Sequence, residues 1–226
     1  MTAAEIRRIK GQISNVLQSH AGVSPSRATG LLPTRSLQGK LYEAHVLATI
    51  IEQLVTKEGL QISLVGGAVL MLRQKGGQIN RTYPYFEVRS GGRLIGELFT
   101  DTYFSTISYE RRGSPPNPTF GDYHELDIAF LTAGLHGYPK YSDVLLAVEC
   151  KNTSIKKSII RELLGFRREL AFYRGRNQMT QFNTFPTNQT KSDPNSVHML
   201  YCSDWRVNRY AINCLEFGIL LEHHRM

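Results

Sequence analysis

The sequence predicts an α/β fold: a central mixed β-sheet flanked by helices, with an N-terminal helix and a β-hairpin insertion. Three observations predict it. Two early segments place apolar residues three or four positions apart, residues 62–109 turn to the alternation of strands, and two short apolar segments are followed by another helical pattern. At 226 residues and 41% hydrophobic, the chain can bury one sizeable core. We therefore expect an N-terminal helix and linker over 1–33 and one domain over 34–226.

The first helix is expected over residues 4–19, where Ile6, Ile9, Ile13, Val16 and Leu17 fall at helical spacing. The Gly, Ser and Pro content from Gly22 to Pro33 reads as a linker. A second helix, from about Leu37 to Glu58, carries Leu37, Leu41, Ala44, Ala48, Ile51 and Val55 in steps of four and three, and Gly59 is placed to stop it. Alternation over Tyr83–Arg89 and Leu94–Phe99, joined through Ser90, Gly91 and Gly92, predicts a hairpin. Three prolines and two glycines between Arg112 and Asp122 predict a loop. His124–Leu131 and Val144–Lys151 read as buried strands. Ser154–Arg174 follows as a helix with the stripe Ile159, Leu163, Phe166, Leu170 and Tyr173. The Asn, Thr, Gln and Pro content of Asn177–Ser196 predicts a mobile loop, with closing strands near Val197–Cys202 and Phe217–Glu222.

Lys and Arg outnumber Asp and Glu by 27 to 19, and after residue 150 the count is twelve to six. Such an excess suits a polyanionic partner, although a solvated basic surface would have the same composition. Cys150, Cys202 and Cys214 are an odd, widely spaced set without a CxxC pair, so neither a disulfide framework nor a zinc finger is indicated. Residues 1–18 mix Arg7, Arg8 and Lys10 with single apolar residues, unlike a signal peptide or membrane span. A cytoplasmic protein with no membrane association is the expectation.

The chemistry concentrates in the two apolar strands. Side chains alternate across a strand, so Glu125 and Asp127 should share one face while Leu126, Ile128 and Phe130 take the other. By the same rule Glu149 and Lys151 should lie together, opposite Val144, Leu146, Val148 and Cys150. A charge inside such a segment must be paired, solvated at a cleft or bound to metal, because isolating it costs several kcal/mol. Two carboxylates supply the hard oxygen ligands that Mg²⁺ prefers, and an ammonium beside them can orient water or offset charge on a phosphoryl group. That is phosphodiester hydrolysis chemistry.

An acidic residue on one strand, Asp127, followed by Glu149-Cys150-Lys151 on the next, resembles the PD-(D/E)XK nuclease superfamily with its restriction-endonuclease-like fold. Leu126 stands where the name-giving motif has proline. The order of elements is similar too: Glu43, within Leu41-Tyr42-Glu43-Ala44, lies on the preceding helix, and a basic helix follows. The resemblance spans roughly residues 38 to 175. It implies a metal-dependent endonuclease, with Asp127, Glu149 and the Cys150 backbone carbonyl holding Mg²⁺ or Mn²⁺ and Lys151 contacting the scissile phosphate or the water. Glu43 would lie beside the metal. Lys157, Arg161 and Arg168, near one face of the following helix, would grip backbone phosphates. DNA is the expected substrate ahead of RNA, and a homodimer is expected as in many members.

Two other classes stay open on the residues. Val65-Gly66-Gly67-Ala68 with Glu125 and Asp127 resembles the Gly-Gly turn and paired acids of nucleotidyltransferases, though more than fifty residues separate them and Lys151 would have no role. A noncatalytic nucleic-acid-binding module would use the basic face alone. A zinc site from His198, Cys202, Cys214, His223 and His224 matches no finger spacing. Trp205, Arg206 and Arg209 could approach bases but read equally as ordinary surface.

Overall fold

A computed structural model of the chain describes residues 1–32, 38–66 and 71–226. Leu37, at the start of the predicted second helix, and Gly67 and Ala68, in the nucleotidyltransferase-like turn, lie outside the described residues.

Helix α1 (Ala3–Ala21) begins in a capping box, in which the Thr2 hydroxyl accepts from the Glu5 N–H and the Glu5 carboxylate accepts from the Thr2 N–H. It ends at Gly22 in the left-handed conformation, φ 61°. The linker expected from Gly22 to Pro33 is corrected over its described part. Ser24 caps a second helix, α2 (Pro25–Leu31), with Pro25 in its first turn. Ser and Pro belong to turns and to helix starts alike, and composition alone does not separate the two. Ala28, Leu31 and Leu32 are buried in the same cluster as Ile9, Ile13 and Leu17.

Helix α3 (Gln38–Glu58) buries Leu41, Tyr42, Val46, Leu47, Ile50, Ile51 and Leu54, on more than one of its faces. It needs that coating because it lies against the sheet and is itself packed by α1.

The sheet has seven strands in the order β1-β2-β3-β4-β5-β8-β9, formed by β1 (Gln61–Val65), β2 (Tyr85–Ser90), β3 (Arg93–Ser105), β4 (Tyr123–Leu131), β5 (Val144–Lys151), β8 (Val197–Cys202) and β9 (Ile219–His223). The first five form an antiparallel meander, and β5, β8 and β9 are parallel. The chain is thus an α/β protein with a mixed sheet flanked by helices. Helix α4 (Ile107–Arg111) follows β3, α5 (Lys157–Leu170) lies on the long connection that parallel pairing of β5 with β8 requires, and α6 (Ala211–Leu215) precedes β9. A separate two-stranded sheet pairs β6 (Phe172–Met179) with β7 (Gln189–Asp193).

The hairpin turns at Gly91 and Gly92, both at positive φ (54° and 82°), as a tight turn demands. It is not an insertion: β2 and β3 are strands of the central sheet, and β3 runs six residues past the predicted end at Phe99. The predicted mobile loop over Asn177–Ser196 is also corrected. Besides β7 it contains the buried Phe182 and Phe185, and the Glu58 carboxylate accepts from the backbone N–H groups of Asn183, Thr184 and Phe185. Its polar composition conceals two apolar anchors, and Glu58 at the end of α3 fixes the backbone between them.

Helix α5 buries Ile160, Leu163, Arg167 and Leu170. The predicted stripe is therefore rotated by one residue at Ile159 and Phe166, which are half-buried, and Tyr173 lies beyond the helix in β6, exposed.

Candidate active site

Side-chain alternation breaks where β3 meets β4. Ile128 and Phe130 belong to the cluster under α1 and α3, whereas Leu126 packs on the other side with Ala129, Leu131 and Phe104. Leu126 therefore does not share a face with Ile128 and Phe130, contrary to the alternation expected from sequence. The strands change face together at Asp101, whose φ is +49°, and at Asp127: Thr100 pairs with Ile128 and Thr102 with Leu126, so Asp101 lies across from Asp127. On the far side, Ile128 pairs with Val148, and one further step sets Glu149 across from Asp127. A left-handed residue other than Gly is unusual inside a strand and frequently marks a functional site.

Carboxylate oxygens of Glu43, Asp101 and Asp127 lie within 4.8 Å of one another. Glu43 comes from α3, Asp101 from β3 and Asp127 from β4. Lys40, one helical turn before Glu43, reaches Glu43 at 2.7 Å and the fully buried Asp101 at 2.5 Å. Asp127 Oδ2 accepts from the Cys150 N–H at 2.7 Å. Glu149 stands outside this group of three and accepts from Lys151 Nζ at 3.2 Å. That pair faces α5, beside Ile159, Glu162, Leu163 and Phe166.

Glu43, Asp101, Asp127 and Glu149 are each harder to ionise than usual. Burial, then the Asp127 charge, pushes Glu43 up to about 7 against the pull of Lys40. Burial likewise raises Asp101 to about 7, again opposed by Lys40. Asp127 is raised by burial, although the Cys150 N–H, Lys151 and Lys40 hold it back. Glu149 is pushed to about 8 by burial and by Asp127. Burial works against the Lys151 ammonium, but Glu149 and Asp127 outweigh it and raise its pKa, so Lys151 stays protonated at neutral pH. The Cys150 thiol is buried in the cluster under α1 and α3, and burial, then Asp127, Glu43 and Glu149, hold it well above its usual range.

Four acids and two lysines are thus gathered at one place. Among the described residues, Asp101 Oδ2 is buried without a hydrogen-bond partner, with the Glu43 and Glu125 carboxyls among its neighbours. An orphaned carboxylate oxygen among further carboxylates suits a hard divalent cation, and Glu43, Asp101 and Asp127 are the residues that could hold one.

The structure therefore joins Asp127 to Glu43 and separates Glu149 from that triad while keeping it within electrostatic reach. The part of Cys150 that touches the triad is its N–H. Lys157, Arg161 and Arg168 are exposed on α5. Asp101 and Lys40 escaped the sequence reading. The available signal was an acid in the run Leu98-Phe99-Thr100-Asp101-Thr102-Tyr103-Phe104, whose burial follows only from the extension of β3. His198, Cys202, Cys214, His223 and His224 do not close into a metal-sized group among the described residues. Trp205 is exposed with the Arg209 guanidinium 5.1 Å from its ring, and Arg206 is bound to Asp204. No helix among the described residues is long and apolar enough to cross a membrane. Comparison with protein-family models, with curated proteins and with solved structures finds no match.

Proposed function

We propose that this protein is a divalent-metal-dependent endonuclease with a restriction-endonuclease-like fold, hydrolysing phosphodiester bonds, with DNA as the favoured substrate. The observation that carries this reading is the convergence of Glu43, Asp101 and Asp127 within 4.8 Å, next to the Glu149–Lys151 pair.

Glu43, Asp101 and Asp127 would hold Mg²⁺ or Mn²⁺, which when bound lowers the pKa of water and neutralises charge on phosphoryl oxygens. Lys40 now supplies the positive charge between Glu43 and Asp101, and it would have to give way as the carboxylates turn to the ion. Lys151, protonated at neutral pH, acts as a cation facing the phosphate rather than as a base. Glu149 fixes the Lys151 ammonium, and the Cys150 N–H fixes the Asp127 carboxylate. Lys157, Arg161 and Arg168 would steady the strand through its phosphates.

The test is cleavage of supercoiled plasmid, single-stranded DNA and RNA by the wild type and by Lys151→Ala, each with Mg²⁺, Mn²⁺ or EDTA. Metal-dependent cutting that falls by about 10²–10³ in the variant is expected, the usual loss on removing one transition-state contact. A wild type that cuts none of the three with either metal, and whose metal binding is unchanged in Asp127→Asn, would overturn the reading. A noncatalytic nucleic-acid-binding module would then remain.

A further inference from the structure

A second concavity opens at the other end of α5. It has a volume of about 570 Å³, lies between α4, the end of α5, β6 and the turn before β9, and contains none of the carboxylate cluster. That volume is in the range of small-ligand pockets.

Its walls combine two chemistries. Phe172, Tyr173 and Phe217 contribute to its walls while 39%, 52% and 43% exposed. Tyr173 and Phe217 are 5.5 Å apart. The other component is guanidinium. Arg111 and Arg168 are exposed at the rim, with Arg111 6.0 Å from the Phe172 ring, and neither forms an ion pair among the described residues. Behind them Arg167 is only 4% exposed, and its hydrogen-bond partners are neutral: Phe217 O, Ser196 O, Ser196 Oγ and Thr190 Oγ1. Burial lowers its pKa to about 9, which leaves it charged at neutral pH. A buried cation without a carboxylate is uncommon, because the desolvation cost then has no ionic compensation. The single acid in the wall, Glu169, has one oxygen engaged by the Ser108 N–H at 3.1 Å. The cavity therefore presents a net positive, ring-lined surface.

We propose that this cavity binds a nucleoside 5′-phosphate, with the base stacked on an exposed ring of its wall, Phe172 beside Arg111, and the phosphate held by Arg111 and Arg168 in the field of Arg167. A planar ring and an anion joined in one small ligand match both components, since aromatic faces stack on any base and guanidinium binds phosphate. The ligand is either a free nucleotide or the end of a nucleic-acid strand. The exposed series Lys157, Arg161 and Arg168 rises about 16 Å along α5 and would lead a strand to the cavity.

The experiment is calorimetric titration of the full chain in EDTA with adenosine 5′-monophosphate, with inorganic phosphate and with a short oligothymidylate, for the wild type, Arg168→Ala, Arg111→Ala and Phe172→Ala. All three substitutions are on exposed side chains, and thermal melts verify that each variant is folded. We expect the nucleotide or the oligonucleotide to bind at least tenfold more tightly than phosphate, with about tenfold or greater loss in each variant. Nucleotide binding points to a free ligand, and binding of the oligonucleotide alone to a strand end. No binding at millimolar concentration, or binding that the variants leave unchanged, overturns the proposal. So does a Phe172→Ala variant that turns a dimer into a monomer while nothing binds, because the rings would then be a contact between copies. Lys151→Ala should bind adenosine 5′-monophosphate in EDTA as the wild type does, and a loss there that Phe172→Ala does not share would place the nucleotide at the carboxylate cluster and overturn the proposal, leaving the nuclease reading untouched.

Discussion

At the scale of single residues, the site is governed by carboxylates that the fold makes reluctant to ionise. Glu43 and Asp101 are raised to about 7 and Glu149 to about 8, all primarily by burial. An acid with a raised folded-state pKa contributes stability that is complete below its unfolded pKa and is lost as the pH climbs through the folded one. Below about pH 6.5 His45, His124, His198 and His224, which burial makes harder to protonate, add stability as the pH rises and oppose this loss. In EDTA the melting temperature should therefore fall from about pH 7 to about pH 8.5, and Mg²⁺ held by the carboxylates would restore it, most strongly at the upper end, by replacing protons on the folded state. Differential scanning calorimetry across that window checks both halves. Asp101→Asn should flatten this fall and reduce the Mg²⁺ effect, and a wild type whose melting temperature is the same at pH 7 and pH 8.5 would show that Lys40 and Lys151 already compensate the acids. Asp127, Glu149, Lys151 and Glu43 were legible in the sequence because each is a charge in an apolar setting. Asp101 was not, because its burial depends on β3 running to Ser105 and on a change of face that no periodicity announces.

At the scale of elements, α5 shows how a local pattern is overruled. A helical stripe through Ile159, Phe166 and Tyr173 would be the more apolar choice, yet Ile160 and Arg167 are the buried residues. Arg167 is accommodated because the turn before β9 brings the Phe217 carbonyl to its Nε at 3.1 Å, and that turn depends on Gly218 at φ +69°. A Cβ at this position would come within 2.9 Å of Arg167 Nη2 and would also crowd the Thr190 hydroxyl. Gly218→Ala should destabilise the protein by about 2–3 kcal/mol through the left-handed backbone and the displaced guanidinium. Urea unfolding measures this, and a loss below half a kcal/mol would show that Arg167 relaxes freely. Segment 177–196 makes the same point in reverse, since Phe182 and Phe185 find core positions that its polar neighbours give no reason to expect.

At the scale of the whole molecule, the first 32 residues are structural. Ile9, Ile13, Leu17 and Leu31 are each no more than 1% exposed and share one core cluster with α3 and the sheet. Fully burying a side chain of this size contributes about 1.5–3 kcal/mol, so losing four is comparable with the entire stability of a domain, about 5–15 kcal/mol. A chain beginning at residue 38 should fail to give a cooperative melt and should bind a hydrophobic dye. A sharp transition near that of the full chain would mean that α1 and α2 are an accessory cover.

The sequence by itself determined the α/β class, the strands that became β4 and β5, the hairpin turn and four of the charged residues at the candidate site. Each is written in short-range terms: a period of two or of 3.6, a pair of glycines, or a charge among apolar neighbours. Tertiary structure alone decided that Glu43 joins Asp101 and Asp127 rather than Glu149, that Arg167 is buried, and that α2 is a helix packed in the core. These outcomes depend on which strands become neighbours and on where a strand changes face. Both are set by packing between segments far apart in the chain, such as Asp101 and Lys40, sixty-one residues apart and joined only when β3 lies under α3.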